Sequence, residues 1–362
     1  MTGYCRVRNE NLRLGFAAIA LWQYGPSRNS GWSGRMDENV DIGGWARWQS
    51  PEQVGWSAGK LAEARGFSGT INTAGVMVVV GGKVVDAWGE VARHYNIHSI
   101  RKSFLSALYG IHDAEGRVDL EATLGSLGID DKQGLSEREK LATVHQLLAA
   151  RSGVYHPSGY ESPNMLAIKP ERHSHGPGVN WCYNNWDFNA LGTIYRQLTG
   201  ADIYADFKAR IADPIGMQDF VPERDGQYMP LEASDHPAYP FRMTARDLAR
   251  FGELFLRRGR WAGKQIVPEA WVADSVAPIS DAGLAGSYGY MWWVARDGIH
   301  FPGARVPEGT YSARGAGGHY VVVLPTLDAV VVHRVDTDVP GNQVSSGRFG
   351  MLLRGILAAA PG

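Results

Sequence analysis

Ser99-Ile100-Arg101-Lys102-Ser103-Phe104-Leu105-Ser106-Ala107-Leu108-Tyr109-Gly110-Ile111 is the stretch on which the reading of this chain turns. Ile100, Phe104, Leu108 and Ile111 recur at helical spacing, which predicts a helix with one continuous apolar stripe ending near Glu115-Gly116. Ser99 opens that helix and Lys102 follows three residues on. Positions i and i+3 share a helical face, so the lysine amine can reach the serine hydroxyl. A serine hydroxyl is a weak nucleophile that needs a neighbouring base. A helix N-terminus also favours the negative charge of an oxyanion forming beside it. The lysine can act as the base only where burial or neighbouring cations lower its pKa; Arg101, adjacent in sequence, should point elsewhere. The same S-x-x-K spacing occurs at Ser57-Ala58-Gly59-Lys60, where it opens a short polar helix and reads as a helix cap.

Ahead of Ser99, Val76 to Val80 and Lys83 to Trp88 flank Gly81-Gly82, a strong hairpin signal. Beyond Gly116 the chain reads as helices and loops. Thr143 to Arg151 forms a short helix closed by Gly153. Asp187 to Leu198 forms another that stops at Gly200, and Thr244 with Asp247 resembles a capping box. Residues 156–181 have little periodicity, as in a lid or binding loop. The last third turns to strands: Tyr288 to Val294, then Tyr320 to Leu324 and Ala329 to Arg334 joined as a second hairpin, then a helix from about Ser345 to Ala359. The expected fold is therefore α/β plus all-α. An antiparallel sheet flanked by helices is formed by both termini (46–116 and 276–362), and a helical domain (117–275) is inserted between them. A site in the crevice is the default expectation.

Lys plus Arg total 36 and Asp plus Glu total 37, a formal net charge of −1. Such a chain has no electrostatic reason to seek nucleic acid or an anionic membrane. The two cysteines, Cys5 and Cys182, read as free thiols; they exclude a disulfide framework, and no zinc spacing exists. Arg6, Arg8 and Arg13 precede a short apolar stretch, Leu14 to Trp22, that resembles a damaged signal peptide but is far too short to span a bilayer. Residues 1–45 are read as a leader and a Gly/Ser/Asn-rich linker, which leaves cellular location open between export and cytoplasm.

Two further clusters carry chemistry. Tyr183-Asn184-Asn185 is the only Y-x-N in the chain. A tyrosine beside a serine–lysine pair can relay a proton, and Asn185 can orient the substrate and the lysine or else cap the next helix. Ala313-Arg314-Gly315-Ala316-Gly317-Gly318 precedes a strand, where glycines let a substrate backbone approach outward N–H groups. Of the remaining candidates, His173 and His175 form an H-x-H pair without an evident third ligand. His98 reads as support beside the nucleophile. His156, His319 or His333 could line the site, and Trp186, Trp292 and Trp293 could wall an acyl pocket or pack the core. Cys182 reads as a packed small residue.

Ser99-x-x-Lys102, then Tyr183-x-Asn185, then a Gly-rich segment before a strand, in that order, resembles the serine β-lactamase and penicillin-binding superfamily. Within it the chain is most similar to the class C and esterase-type branch, including the 6-aminohexanoate-dimer hydrolases. Leu147 to Gly153, Pro214 to Met217, Thr244 to Gly252 and Tyr288 to Trp293 extend the likeness over roughly residues 50–355. The resemblance implies a β-lactamase-like fold and an acyl-enzyme mechanism. Ser99 is then the nucleophile and Lys102 with Tyr183 the base, taken as one unit. The oxyanion site uses the Ser99 N–H and one N–H from Gly315, Ala316 or Gly317. No metal or organic cofactor is needed. The chain departs from the family at the third motif. Either Ala313-Arg314-Gly315 or Gly315-Ala316-Gly317 aligns with K-T-G, and neither has the lysine that helps hold a β-lactam's carboxylate, unless Arg314 replaces it. The expected substrate is a small carboxylic ester or linear amide. The rivals are a D-amino-acid peptidase or weak β-lactamase, and a non-catalytic ligand-binding member.

Overall fold

The central sheet draws its strands from both ends of the chain, and its valine-rich runs explain why. A computed structural model describes residues 40–361; the leader reading lies outside them as far as residue 39. Of residues 40–45, placed in the linker by composition, Asp41, Gly43 and Gly44 are exposed and Trp45 is buried; the Trp45 indole donates to the Arg246 carbonyl and the Gly44 N–H to Gln218. The described residues form one compact unit, and among them no helix is long and apolar enough to cross a membrane.

Helix α1 (Ala58–Ser68) leads into β1 (Gly75–Val80) and β2 (Lys83–Gly89), joined through Gly81 and Gly82 at φ 58° and 74°. A two-residue turn of that kind matches the twist of the flanking strands, and glycine adopts it without steric cost. Helix α2 (Arg101–Ala114) follows, then α3 (Asn185–Thr199) and α4 (Ala245–Leu256). Strands β3 (Ser280–Asp281), β4 (Ser287–Tyr288), β5 (Trp293–Val294), β6 (Tyr311–Gly315), β7 (His319–Leu324) and β8 (Ala329–Arg334) precede helix α5 (Ser346–Ala358). The sheet order is β2-β1-β8-β7-β6-β5-β4-β3, with antiparallel pairing throughout. This is the α/β arrangement expected from the strand runs at both ends of the sequence.

Side chains alternate across a strand, so Val76, Val78, Tyr320, Val322 and Val331 face α1 and α5. Met77, Val79, Val321, Val323 and Val330 face the larger core containing Phe104 of α2 and Leu248 and Phe251 of α4. Both faces are covered, hence the unbroken Val/Ile/Leu runs. Helix α4 lies on the sheet although its sequence position falls within the 117–275 segment.

Three local readings need correction. Tyr288 to Val294 is not one strand: Met291, at φ 60°, turns the chain between β4 and β5. The cap of α3 is Asn184, whose side chain accepts from the Trp186 N–H, and Asn185 is already helical. Thr244 caps α4 by accepting from the Asp247 N–H, but the Asp247 carboxylate does not close a capping box; it accepts the N–H groups of Gln218, Asp219 and Phe220. Three backbone donors outbid one when a carboxylate is buried.

Candidate active site

Ser99 sits in a short 3₁₀ turn, His98–Ile100, that runs directly into α2. His98 has φ 49°, a left-handed conformation that costs about 1 kcal/mol in a residue with a side chain. Asn96 holds it there by accepting the His98 N–H at 2.9 Å, and His98 Nε2 pairs with Thr337 Oγ1 at 2.9 Å. The chain turns at this point and leaves Ser99 half-buried at a cleft of 390 Å³.

One turn on, Lys102 is 1% exposed, whereas Lys60 of the rival motif is on the surface. Lys102 Nζ donates to the Tyr183 hydroxyl at 2.6 Å and lies 4.0 Å from the centre of the Tyr183 ring and 4.2 Å from that of Phe188. Burial holds the Lys102 ammonium well below its ordinary pKa. Burial pushes the Tyr183 phenol up to about 12, and its hydrogen bond with Ser99 draws it partly back. Ser99 and Tyr183 line the same cleft, and Tyr183 is bonded to Lys102, so the three side chains are brought together from the turn before α2, α2 itself and the segment leading into α3. Ser57, by contrast, accepts from the Lys60 N–H at 3.3 Å and caps α1.

The far wall is β6 and the turn after it. Arg314, Gly315 and Ala316 line the cleft with Trp293 and Tyr320; Gly317 does not. A Cβ on Gly315 would lie 2.4 Å from the Ile97 carbonyl oxygen, so β6 touches the nucleophile turn at this residue. Arg314 donates from Nε to Ser312 Oγ at 2.9 Å and from Nη2 to the His300 carbonyl at 2.9 Å, and it stacks over Phe301 and Trp293. Burial lowers its pKa to about 9.

Asn185, expected to orient the substrate and the lysine, is not among the residues that line the cleft. It is buried, and its amide donates to the carbonyls of Gly159 and Tyr160, the latter at 2.6 Å. It therefore pins the 156–181 segment, from which Tyr160, Glu161, Ser162 and Met165 line the cleft. These four went unnoticed in the sequence because the segment has no periodicity; its length alone marked it as a binding loop. Of Trp186, Trp292 and Trp293, only Trp293 lines the cleft. Trp186 donates to Asp131 at 2.6 Å, and Trp292 stacks on Phe251 in the core. Of the histidines only His98 lines it; burial lowers its pKa to about 4, so it is neutral near pH 7. His319 and His333 are buried within β7 and β8, His319 against His98 and His333 against Phe349; His156 is enclosed near Asp131 and Glu139, and His173 and His175 sit on the loop. Burial pushes the Cys182 thiol up to about 12, which leaves it unreactive as a nucleophile.

The model of the Beta-lactamase family matches residues 58–349. Among solved structures the chain is similar to a protein described as a 6-aminohexanoate-dimer hydrolase from Bacillus anthracis (24% identity, TM-score 0.62, 81% of this chain and 80% of that one). It is also similar to EstCE1, a hydrolase with promiscuous acyltransferase activity (16%, TM-score 0.58, 84% and 99%). A third is the octameric penicillin-binding protein homologue from Pyrococcus abyssi (19%, TM-score 0.57, 84% and 76%). At these identities the three share its fold. With the family match spanning most of its length, the chain belongs to the Beta-lactamase family of serine hydrolase-type proteins.

Proposed function

We propose that the chain is a serine hydrolase acting through an acyl-enzyme on small carboxylic esters or linear amides, with Ser99 as nucleophile and Lys102 with Tyr183 as base. The observation that carries this reading is the 2.6 Å contact between a buried, pKa-lowered Lys102 amine and the Tyr183 hydroxyl beside Ser99. Ser99 Oγ attacks the substrate carbonyl while its proton passes to the Tyr183–Lys102 pair. The oxyanion is met by the Ser99 N–H and by the N–H of Ala316, next to the Gly315 contact. This takes Ala313-Arg314-Gly315 as the third motif. The tetrahedral adduct collapses, and the pair returns the proton to the leaving alkoxide or amine. Water then adds to the acyl carbonyl, gives its proton to the same pair, and releases the acid and free Ser99.

One feature supports an ester or linear amide over a β-lactam. Arg314 is engaged by Ser312 and His300 and packed on aromatic rings rather than projecting as a free lysine would.

The test is a fluorophosphonate probe together with p-nitrophenyl esters, anilides and nitrocefin, applied to wild type, Ser99→Ala and Ser57→Ala. Loss of labelling and turnover in Ser99→Ala alone is expected. Rapid nitrocefin cleavage without ester or anilide turnover would transfer the reading to β-lactams. A wild type that neither labels nor turns over would leave a ligand-binding role in its place.

A further inference from the structure

The nucleophile helix carries two consecutive buried cations. Arg101 is 0% exposed and, among the described residues, pairs with no carboxylate. Its Nη2 donates to Asn189 Oδ1 at 3.0 Å, its Nε and Nη1 find no acceptor, and its guanidinium lies 4.0 Å from the centre of the Tyr239 ring. Burying an unpaired charge is costly, and a π face recovers only part of that cost. Apolar residues would fill the same space without it.

Arg101 and Lys102 rest on consecutive residues of α3: Arg101 on Asn189, Lys102 on the ring of Phe188. The groups that could offset the Arg101 charge at Lys102 are weakened. Burial pushes the Asp187 carboxyl up to about 8, against donors from Ser152 and Asn184, so it is largely neutral at pH 7. Glu161 is paired with Lys169. Tyr183, the direct partner of Lys102, is uncharged at neutral pH. Arg314, across the cleft, is a further cation beside Tyr183.

We infer that Arg101 is an electrostatic positioning residue: an unpaired buried cation whose field keeps Lys102 in the free-amine form that takes the Ser99 proton. Its side chain is not among those lining the cleft, and it acts through Lys102. The inference rests on the serine-hydrolase reading above. The neighbouring-charge effect is in the right direction, since Arg101 is the principal charge lowering the Lys102 pKa after burial. At an effective dielectric constant of about 20, a unit charge about 10 Å away is worth about one pH unit.

The experiment is the pH profile of kcat/KM with a p-nitrophenyl ester, and of Ser99 labelling by the fluorophosphonate, for wild type, R101Q, R101K and N189D. In R101Q the acidic limb should move up by about one unit or more. Turnover below the limb should fall about tenfold, with the deficit closing as the pH rises. R101K should restore the limb. N189D keeps Arg101 and sets a carboxylate against it, so its limb should move up as well, and it decides the matter should R101Q fail to fold. An acidic limb that stays in place in R101Q and N189D while activity drops equally at every pH would assign Arg101 a packing role and overturn the inference. A wild type that neither labels nor turns over would sink this inference and the hydrolase reading together; one that labels normally while the limb stays fixed would sink this inference alone.

Discussion

Replacing Gly315 by alanine tests the placement of β6 against the nucleophile turn. The new Cβ would lie 2.4 Å from the Ile97 carbonyl oxygen and 3.1 Å from His319 Cβ. Relief to ordinary contact requires a shift of about 1 Å. The Ile97 side cannot supply it easily: the Ile97 N–H is bonded to Phe241 and its carbonyl accepts from the Ile100 N–H. The strand has to move, carrying the Ala316 N–H away from the oxyanion. A misplacement of that size costs ~10²-fold in kcat/KM, equivalent to about 2.7 kcal/mol of transition-state stabilisation. Overpacking costs about 1–3 kcal/mol of stability as well. Ester hydrolysis measured alongside thermal unfolding separates the two effects. Gly317→Ala is the control. Gly317 has φ 83°, and its Cβ would meet the Thr337 methyl group, so it should lose stability with little change in turnover. A Gly315→Ala enzyme with wild-type kcat/KM would refute the assignment, and a larger catalytic loss in Gly317→Ala would favour the alternative Gly315-Ala316-Gly317 alignment.

Tyr183→Phe removes the hydroxyl between Ser99 and Lys102, and kcat should fall by about 10²–10⁴ while the circular dichroism spectrum is retained; unchanged turnover would leave Lys102 as the sole base. Ser57→Ala should cost about 1 kcal/mol of stability through loss of the α1 cap, with kcat/KM unchanged; a drop in turnover at constant Tm would contradict its role as a cap. Burial raises the Asp187 carboxyl in the folded protein to about 8, far above the ordinary carboxylate range. The folded state therefore keeps a proton that the unfolded chain gives up, and stability should fall as the pH rises from about 4 to about 8. Asp187→Asn should flatten that fall, as read by urea unfolding at pH 5 and pH 8; an unaltered pH dependence would assign it to other groups.

What the sequence determined by itself is what a few neighbouring residues can encode. The Val-rich runs around Gly81-Gly82, the stripe Ile100-Phe104-Leu108-Ile111 and the one-turn spacing of Ser99 and Lys102 are local, because period and turn chemistry act over one or two turns of backbone. The conjunction of motifs then carried the family likeness. Tertiary structure alone decided the rest. Tyr183 meets Lys102, Gly315 meets Ile97, and Asn185 pins Tyr160. Met291 breaks an extended aromatic run, and Asp247 spends its carboxylate on a distant loop. Arg101, expected to point elsewhere, is fully buried, with its guanidinium 4.0 Å from the Tyr239 ring and 5.8 Å from that of Tyr160. Each of these depends on which side chains share a low-dielectric space, and that is settled when distant segments pack, because burial and electrostatic coupling follow distance in space rather than separation along the chain.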